Sequence, residues 1–87
     1  MPKEEIMEHL KTYFAKEVLG NKDIGLDEHT PLLEWGIINS LEIVRLLSFI
    51  QKQFSVEIPN DKLVADYFTD ISAIADMILD SVSAYRN

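Results

Sequence analysis

Leu32-Leu33-Glu34-Trp35-Gly36-Ile37-Ile38-Asn39-Ser40-Leu41-Glu42-Ile43-Val44 runs without a break into Arg45-Leu46-Leu47-Ser48-Phe49-Ile50-Gln51-Lys52-Gln53-Phe54. The stretch opens as a glycine-containing loop and ends as a strongly periodic helix. Asn39 is a good N-cap, and Glu42 stands three residues on, where a capping box would place it. At about 100° per residue, Ile43, Leu46, Leu47, Ile50 and Phe54 share one face, while Leu41, Arg45, Ser48 and Lys52 face away. Val44 lies at the margin. The spacing therefore predicts a helix over Ser40–Phe54 with a hydroxyl at its first position. Beside that hydroxyl it leaves a small exposed apolar patch, Leu41 with Val44.

Working outward, Ile6, Met7, Leu10, Phe14 and Val18 fall on one face of a helix from Pro2 to about Leu19, with Gly20-Asn21 as its stop. Gly20 to Asn39 has three glycines, a proline and no sustained period, so it reads as a long loop, of a length that is often functional. Leu26, Leu32, Leu33, Trp35 and Ile37 are the residues expected to pin it down. Val56-Glu57-Ile58-Pro59 reads as extended, because Pro59 disfavours helix at Ile58. Asn60 then caps a short helix from Asp61 to about Asp66. Thr69 or Asp70 caps a last helix with Ile71, Ile74, Ala75, Ile78, Val82 and Tyr85 inward and Asp76 and Asp80 outward. No strand pair with turn signals is present. The expectation is an all-α fold: a small four-helix bundle of three main helices and one short one, with a long loop between the first two, in a single domain spanning 1–87.

Composition fits one modest core: 87 residues, of which 47% are hydrophobic and 26% charged. With 15 acidic against 8 basic residues the net charge is −7, which argues against a phosphate-backbone partner and hence against nucleic acid. No apolar run is long enough to span a bilayer and no signal peptide opens the chain, so a cytoplasmic monomer with no membrane partner is expected. The chain has no cysteine, so a disulfide framework, a thiolate nucleophile and a Cys-based metal site are all ruled out.

A catalytic constellation does not assemble. The two histidines, His9 on the polar face of the first helix and His29 in the loop, have no i, i+4 spacing, and no metal site is expected. His29 could act as a base for Ser40, but nothing orients it and there is no G-x-S-x-G elbow. Ser40 could be an ordinary helix-start serine, yet Asn39 already fills the cap. A phosphodiester at Ser40 would meet free backbone N–H groups and the positive end of the helix dipole. The residues themselves lead to a small acidic bundle with a prominent serine.

Leu33, Gly36, Ile37-Ile38 and Asn39-Ser40-Leu41 resemble the phosphopantetheine attachment site of the acyl and peptidyl carrier proteins, in which Asp-Ser-Leu opens the second helix. The resemblance extends through Phe49–Ile58 and Tyr67-Phe68-Thr69-Asp70-Ile71, so it covers nearly the whole chain. It implies that Ser40 receives 4′-phosphopantetheine from coenzyme A through a phosphopantetheinyl transferase. The arm's thiol then holds cargo as a thioester, and the carrier itself catalyses nothing. Ile38, Leu41, Val44 and Arg45 are the expected partner contacts. Two positions depart from the family pattern: Asn39 stands where Asp is usual, and Ser55 where Gly is frequent.

Ser40–Phe54 contains one acid, Glu42, against Arg45 and Lys52, unlike the strongly acidic second helix of fatty-acid carriers. The form Leu-Leu-Glu-x-Gly-Ile-Ile-x-Ser-Leu looks like that of free-standing aminoacyl carriers, including the prolyl carriers of pyrrole-forming pathways. The resemblance thus points to an aminoacyl or peptidyl carrier of nonribosomal peptide or related secondary metabolism. Its partners would be an adenylating enzyme and downstream thioester-using enzymes. A polyketide or fatty-acyl carrier and a D-alanyl carrier are alternatives within the class. An unmodified helical interaction module is the alternative outside it, and a serine hydrolase is a remote third.

Overall fold

The computed structural model describes residues 2–21 and 24–85, the side chains of residues 60 and 83–85 excepted. It contains three α-helices, α1 (Lys3–Tyr13), α2 (Ser40–Phe54) and α3 (Ile71–Tyr85), and no strand among the described residues. The expected short helix is replaced by two 3-10 turns, Asn60–Lys62 and Ala65–Phe68. Val64 between them is extended, at φ −125° and ψ 153°, so no continuous i→i+4 ladder can form. The turns close instead on i→i+3 bonds, Lys62 N–H to Pro59 O at 3.0 Å and Tyr67 N–H to Val64 O at 3.1 Å.

Glu4 and Glu5 in the first turn of α1 and Lys11 in its last complement the helix dipole, and Ile6, Leu10 and Tyr13 line its buried face. The helix does not continue as α to Leu19. Phe14–Val18 is a π-helical turn, marked by Leu19 N–H donating to Phe14 O five residues back at 2.8 Å. Tyr13 and Phe14 are both buried where the helix widens. The chain then stops as expected at Gly20 and Asn21, both with positive φ.

Residues 31–36 are held by a Schellman-type closure. Ile37 N–H donates to Leu32 O at 2.9 Å and Gly36 N–H to Leu33 O at 3.1 Å, with Gly36 left-handed at φ 72°. Leu32 and Ile37, the pair that such a closure brings together, are both buried. Leu32 N–H also donates to Thr69 O at 2.9 Å, and Ser72 N–H to Glu28 O at 3.0 Å, so the loop is tied to the start of α3. Asp27 closes a turn by accepting from His29 N–H at 2.8 Å, a bond that holds its carboxyl below the usual range. Trp35 does not pin the loop: it is 57% exposed, and Leu32 and Ile37 do that work from within the core, with Leu26 and Leu33 packed against it.

Asp70, of the two candidate caps, starts α3, accepting from Ala73 N–H at 2.7 Å. Ile71, Ile74, Ala75, Met77 and Ile78 are buried, and Val82 packs at the edge of the core. Met77 and Ser81 join the buried face, which is wider than the periodic stripe alone predicts. The inward placement expected for the Tyr85 side chain, and the cap expected of Asn60, lie outside the described residues.

Ser55 ends α2 in the left-handed region, at φ 56° and ψ 39°, with its N–H on Gln51 O at 3.0 Å. The turn then carries Val56 and Ile58 into the core. A glycine adopts that conformation without a Cβ penalty. Ser55→Gly is therefore expected to stabilise the fold by about 0.5–1 kcal/mol, read as a higher urea midpoint at unchanged slope. A lower midpoint would mean that the serine side chain contributes something beyond the backbone geometry.

Candidate functional site: Ser40 and the outer face of α2

Ser40 is exposed at the first position of α2. Asn39 caps the helix from extended backbone, its Oδ1 accepting from Glu42 N–H at 3.0 Å, while its carbonyl takes Ile43 N–H at 2.9 Å. Among the described residues this leaves the N–H groups of Ser40 and Leu41 with no partner in the helix. They are two donors beside the hydroxyl at the positive end of the dipole, suited to phosphate oxygens.

The reciprocal half of the capping box is not made. The Glu42 carboxylate turns to the Arg45 guanidinium instead, Nη1 to Oε1 at 3.1 Å, so the one acid in the first turn is partly neutralised. Asn39 adds no charge of its own. A phosphodiester on Ser40 thus meets less negative charge from the helix start than Asp at position 39 would impose. In this respect the departure from the family pattern is electrostatically mild.

Leu41 is 69% and Val44 60% exposed, as the helical wheel requires, and Arg45 is exposed beside them. Ile38 is different. At 2% exposure it belongs to the core, its N–H reaching Leu32 O at 3.3 Å, and it offers no surface to a partner in this conformation. Its role here is to anchor the loop next to Ser40.

Along α2 the same outer face leads into a groove of about 540 Å³ between α2 and the end of α1. Tyr13 and Phe49 line it and stack on each other, with centroids 4.5 Å apart and planes inclined by 29°. Tyr13 is 8% exposed and its hydroxyl has no hydrogen-bond partner. Burial raises its pKa, with the Arg45 charge pulling the other way. Lys16, Arg45 and Lys52 border the groove together with Glu17, so three cations and one acid line it. His9, placed on the polar face from sequence, is half-buried at the groove and meets Phe54 edge-on at 5.7 Å.

Sequence periodicity gave no sign of the groove, because it forms between two helices, and Lys16 and Glu17 on its border belong to a π-helical turn that a straight 3.6-residue period does not place. The hydrogen bond recorded for His29 is from its backbone N–H, to Asp27. Among the described residues, no three His, Cys, Asp or Glu side chains gather as metal ligands, and no helix is long and apolar enough to cross a membrane.

With Ser40 exposed on a capped helix start behind a glycine-closed loop, the comparison with protein families is decisive. The family model described as the phosphopantetheine attachment site matches residues 8–78. The chain belongs to this family. Domains of the family carry a covalently attached 4′-phosphopantetheine group, and such carrier domains work with a phosphopantetheinyl transferase and partner enzymes. A comparison with curated proteins finds no match. Among solved structures, a chain from one described as the crystal structure of an FAD-dependent dehydrogenase is similar: it is 33% identical with a TM-score of 0.74, over 79% of this carrier and 97% of that chain.

Proposed function

We propose that this carrier holds an aminoacyl group as a thioester on a phosphopantetheine arm attached to Ser40, in nonribosomal peptide or related secondary metabolism. The observation that carries the reading is Ser40 itself: exposed, beside two free helix N–H donors, on a chain of the attachment-site family. In the loading step Ser40 Oγ bonds to the phosphorus of coenzyme A's phosphopantetheine moiety as the bond to the nucleotide part breaks. The Oγ proton leaves to a base on the transferase. The chain supplies the nucleophile's position and the anion-stabilising amides, and the enzymes supply the chemistry.

The aminoacyl assignment is supported by the outer face of α2, where Arg45 and Lys52 are exposed and Glu42 is held by Arg45. An adenylating enzyme is the loading partner in this reading. A flavin-dependent dehydrogenase is a fitting downstream partner, since the solved structure bearing that description contains a chain that this carrier matches nearly end to end. The chemistry fits a thioester cargo: the carbonyl acidifies the adjacent C–H, so a base takes that proton while a hydride from the neighbouring carbon reduces the flavin.

The test is intact-mass analysis after incubation with coenzyme A and a broad-specificity transferase, followed by charging with candidate amino acids and the adenylating enzyme. One phosphopantetheine per chain and an aminoacyl adduct are expected. Acceptance of only malonyl or fatty-acyl groups would move the carrier to polyketide or fatty-acid synthesis. A chain that is never modified, yet binds a partner equally well as Ser40→Ala, would be a helical interaction module.

Asn39 gives a further expectation. Asn39→Ala loses the bond to Glu42 N–H and costs about 1 kcal/mol, whereas Asn39→Asp keeps the cap and leaves stability nearly unchanged. Urea unfolding of the two variants separates these outcomes. Equal destabilisation by both would show that the cap geometry is not what holds the helix start.

A further inference from the structure

We propose that the groove between α1 and α2 is a docking surface for an acidic segment of a partner protein, one with an apolar side chain at its centre. The inference stands apart from attachment at Ser40. Among the described residues, Lys3 is paired with Asp76, Lys11 with Glu8 and Glu28, Arg45 with Glu42, and Lys62 with Asp80. Lys16 and Lys52 make no such pair, and both are exposed on the border of this groove. They come from different elements, Lys16 from the π-helical turn after α1 and Lys52 from the last turn of α2. The packing of the two helices brings them to one place.

Charge and shape together select the occupant. The groove is lined by Phe49, half-buried and stacked on Tyr13, so an apolar side chain finds an aromatic surface there. Carboxylates on either side of that anchor meet the two unpaired ammonium groups, and Glu17 is the one acid on the border. Over most of its surface a chain of net charge −7 repels an acidic segment, so this local cationic border fixes where and how such a segment lands. The groove also faces away from the attachment serine. At about 100° and ~1.5 Å per residue, Phe49 lies about 180° round α2 and about 14 Å along it from Ser40. A segment seated there leaves Ser40, Leu41 and Val44 open. A partner can thus hold the chain while a second enzyme works at Ser40, and this tethering raises the effective concentration between them.

The experiment titrates the isotope-labelled chain with a synthetic helical peptide of glutamate and alanine bearing one central phenylalanine, followed by amide NMR. Shifts are expected at Lys16, Ser48, Phe49 and Lys52, with Ser40, Leu41 and Val44 unmoved. The double variant Lys16→Glu with Lys52→Glu is expected to bind about tenfold more weakly or worse, because two attractions become repulsions. Both lysines are exposed, so its urea unfolding should match the wild type. A peptide with alanine in place of the phenylalanine should also bind more weakly. Raising salt from 0.1 to 1 M cuts the screening length from about 10 to about 3 Å and should weaken binding further. Ser40→Ala should bind as the wild type does, so a failure of the attachment reading and a failure of the groove are told apart. No binding, equal binding of a lysine-for-glutamate peptide, shifts centred on Leu41 and Val44, or an unchanged affinity in the double variant would each overturn the proposal. A dimer in sedimentation that the double variant dissociates would give the groove to a second copy of the chain instead.

Discussion

Ser40→Ala is expected to abolish phosphopantetheine transfer outright: no mass increment on incubation with coenzyme A and transferase, against one increment for the wild type. The expectation is all-or-none because the hydroxyl is the bond-forming atom and a methyl group offers no substitute. The variant should fold normally. Ser40 is exposed, Asn39 does the capping, and no hydrogen bond to the Ser40 side chain holds the helix start. Surface substitutions of this kind stay within about 0.5 kcal/mol. Circular dichroism and urea unfolding should therefore superimpose on the wild type. Full modification of Ser40→Ala would place the attachment point elsewhere and remove the basis of the carrier reading on this helix.

Such a clean separation of function from stability is possible because the site was built from local rules. The N-cap at Asn39 and the 3.6-residue period of Ser40–Phe54 are short-range features, readable from the residues themselves, and the structure reproduces both. Gly36 was visible only as a loop glycine. The structure shows it as the left-handed residue of a Schellman closure, which is why an apolar residue follows it. Ser55 was a departure from a pattern, and its positive φ now supplies the physical reason that glycine is frequent there.

What sequence periodicity could not supply was tertiary. Ile38 lies two residues before Ser40 and is by sequence an expected partner contact, but the loop's backbone bonds to Leu32 turn it inward. Trp35 looked like an anchor because it is large, yet the closure around Gly36 leaves it outside. The short helix after Pro59 became two 3-10 turns because a few residues cannot offset helix nucleation against an extended Val64. The Tyr13 groove is a gap between two helices, bordered in part by Lys16 and Glu17 of a π-helical turn, and a wheel drawn for one regular helix cannot represent it.

Leu32→Ala is expected to have the largest effect on stability of any single change in the long loop. Leu32 has no solvent exposure, and its backbone is the hub of the segment: its N–H goes to Thr69 and its carbonyl takes the N–H groups of both Ile37 and Ile38. Truncating a fully buried leucine costs about 2–5 kcal/mol, through lost transfer free energy and the cavity left behind. For 87 residues the whole stability is on the order of 4–13 kcal/mol at the usual value per residue. A drop in melting temperature of roughly 10 °C or more is therefore expected. The loss should also reach the site. Ile37 and Ile38 hold the approach to Asn39, so a loosened Leu32 frees the loop that presents Ser40, and transfer should slow well below the temperature at which the bundle unfolds. Hydrogen exchange should show faster opening of the Ile37 and Ile38 amides while α3 stays protected. A change of less than about 1 kcal/mol would mean that the loop does not depend on this side chain. An intact loop with slowed transfer would mean that the transferase reads Leu32's surroundings directly.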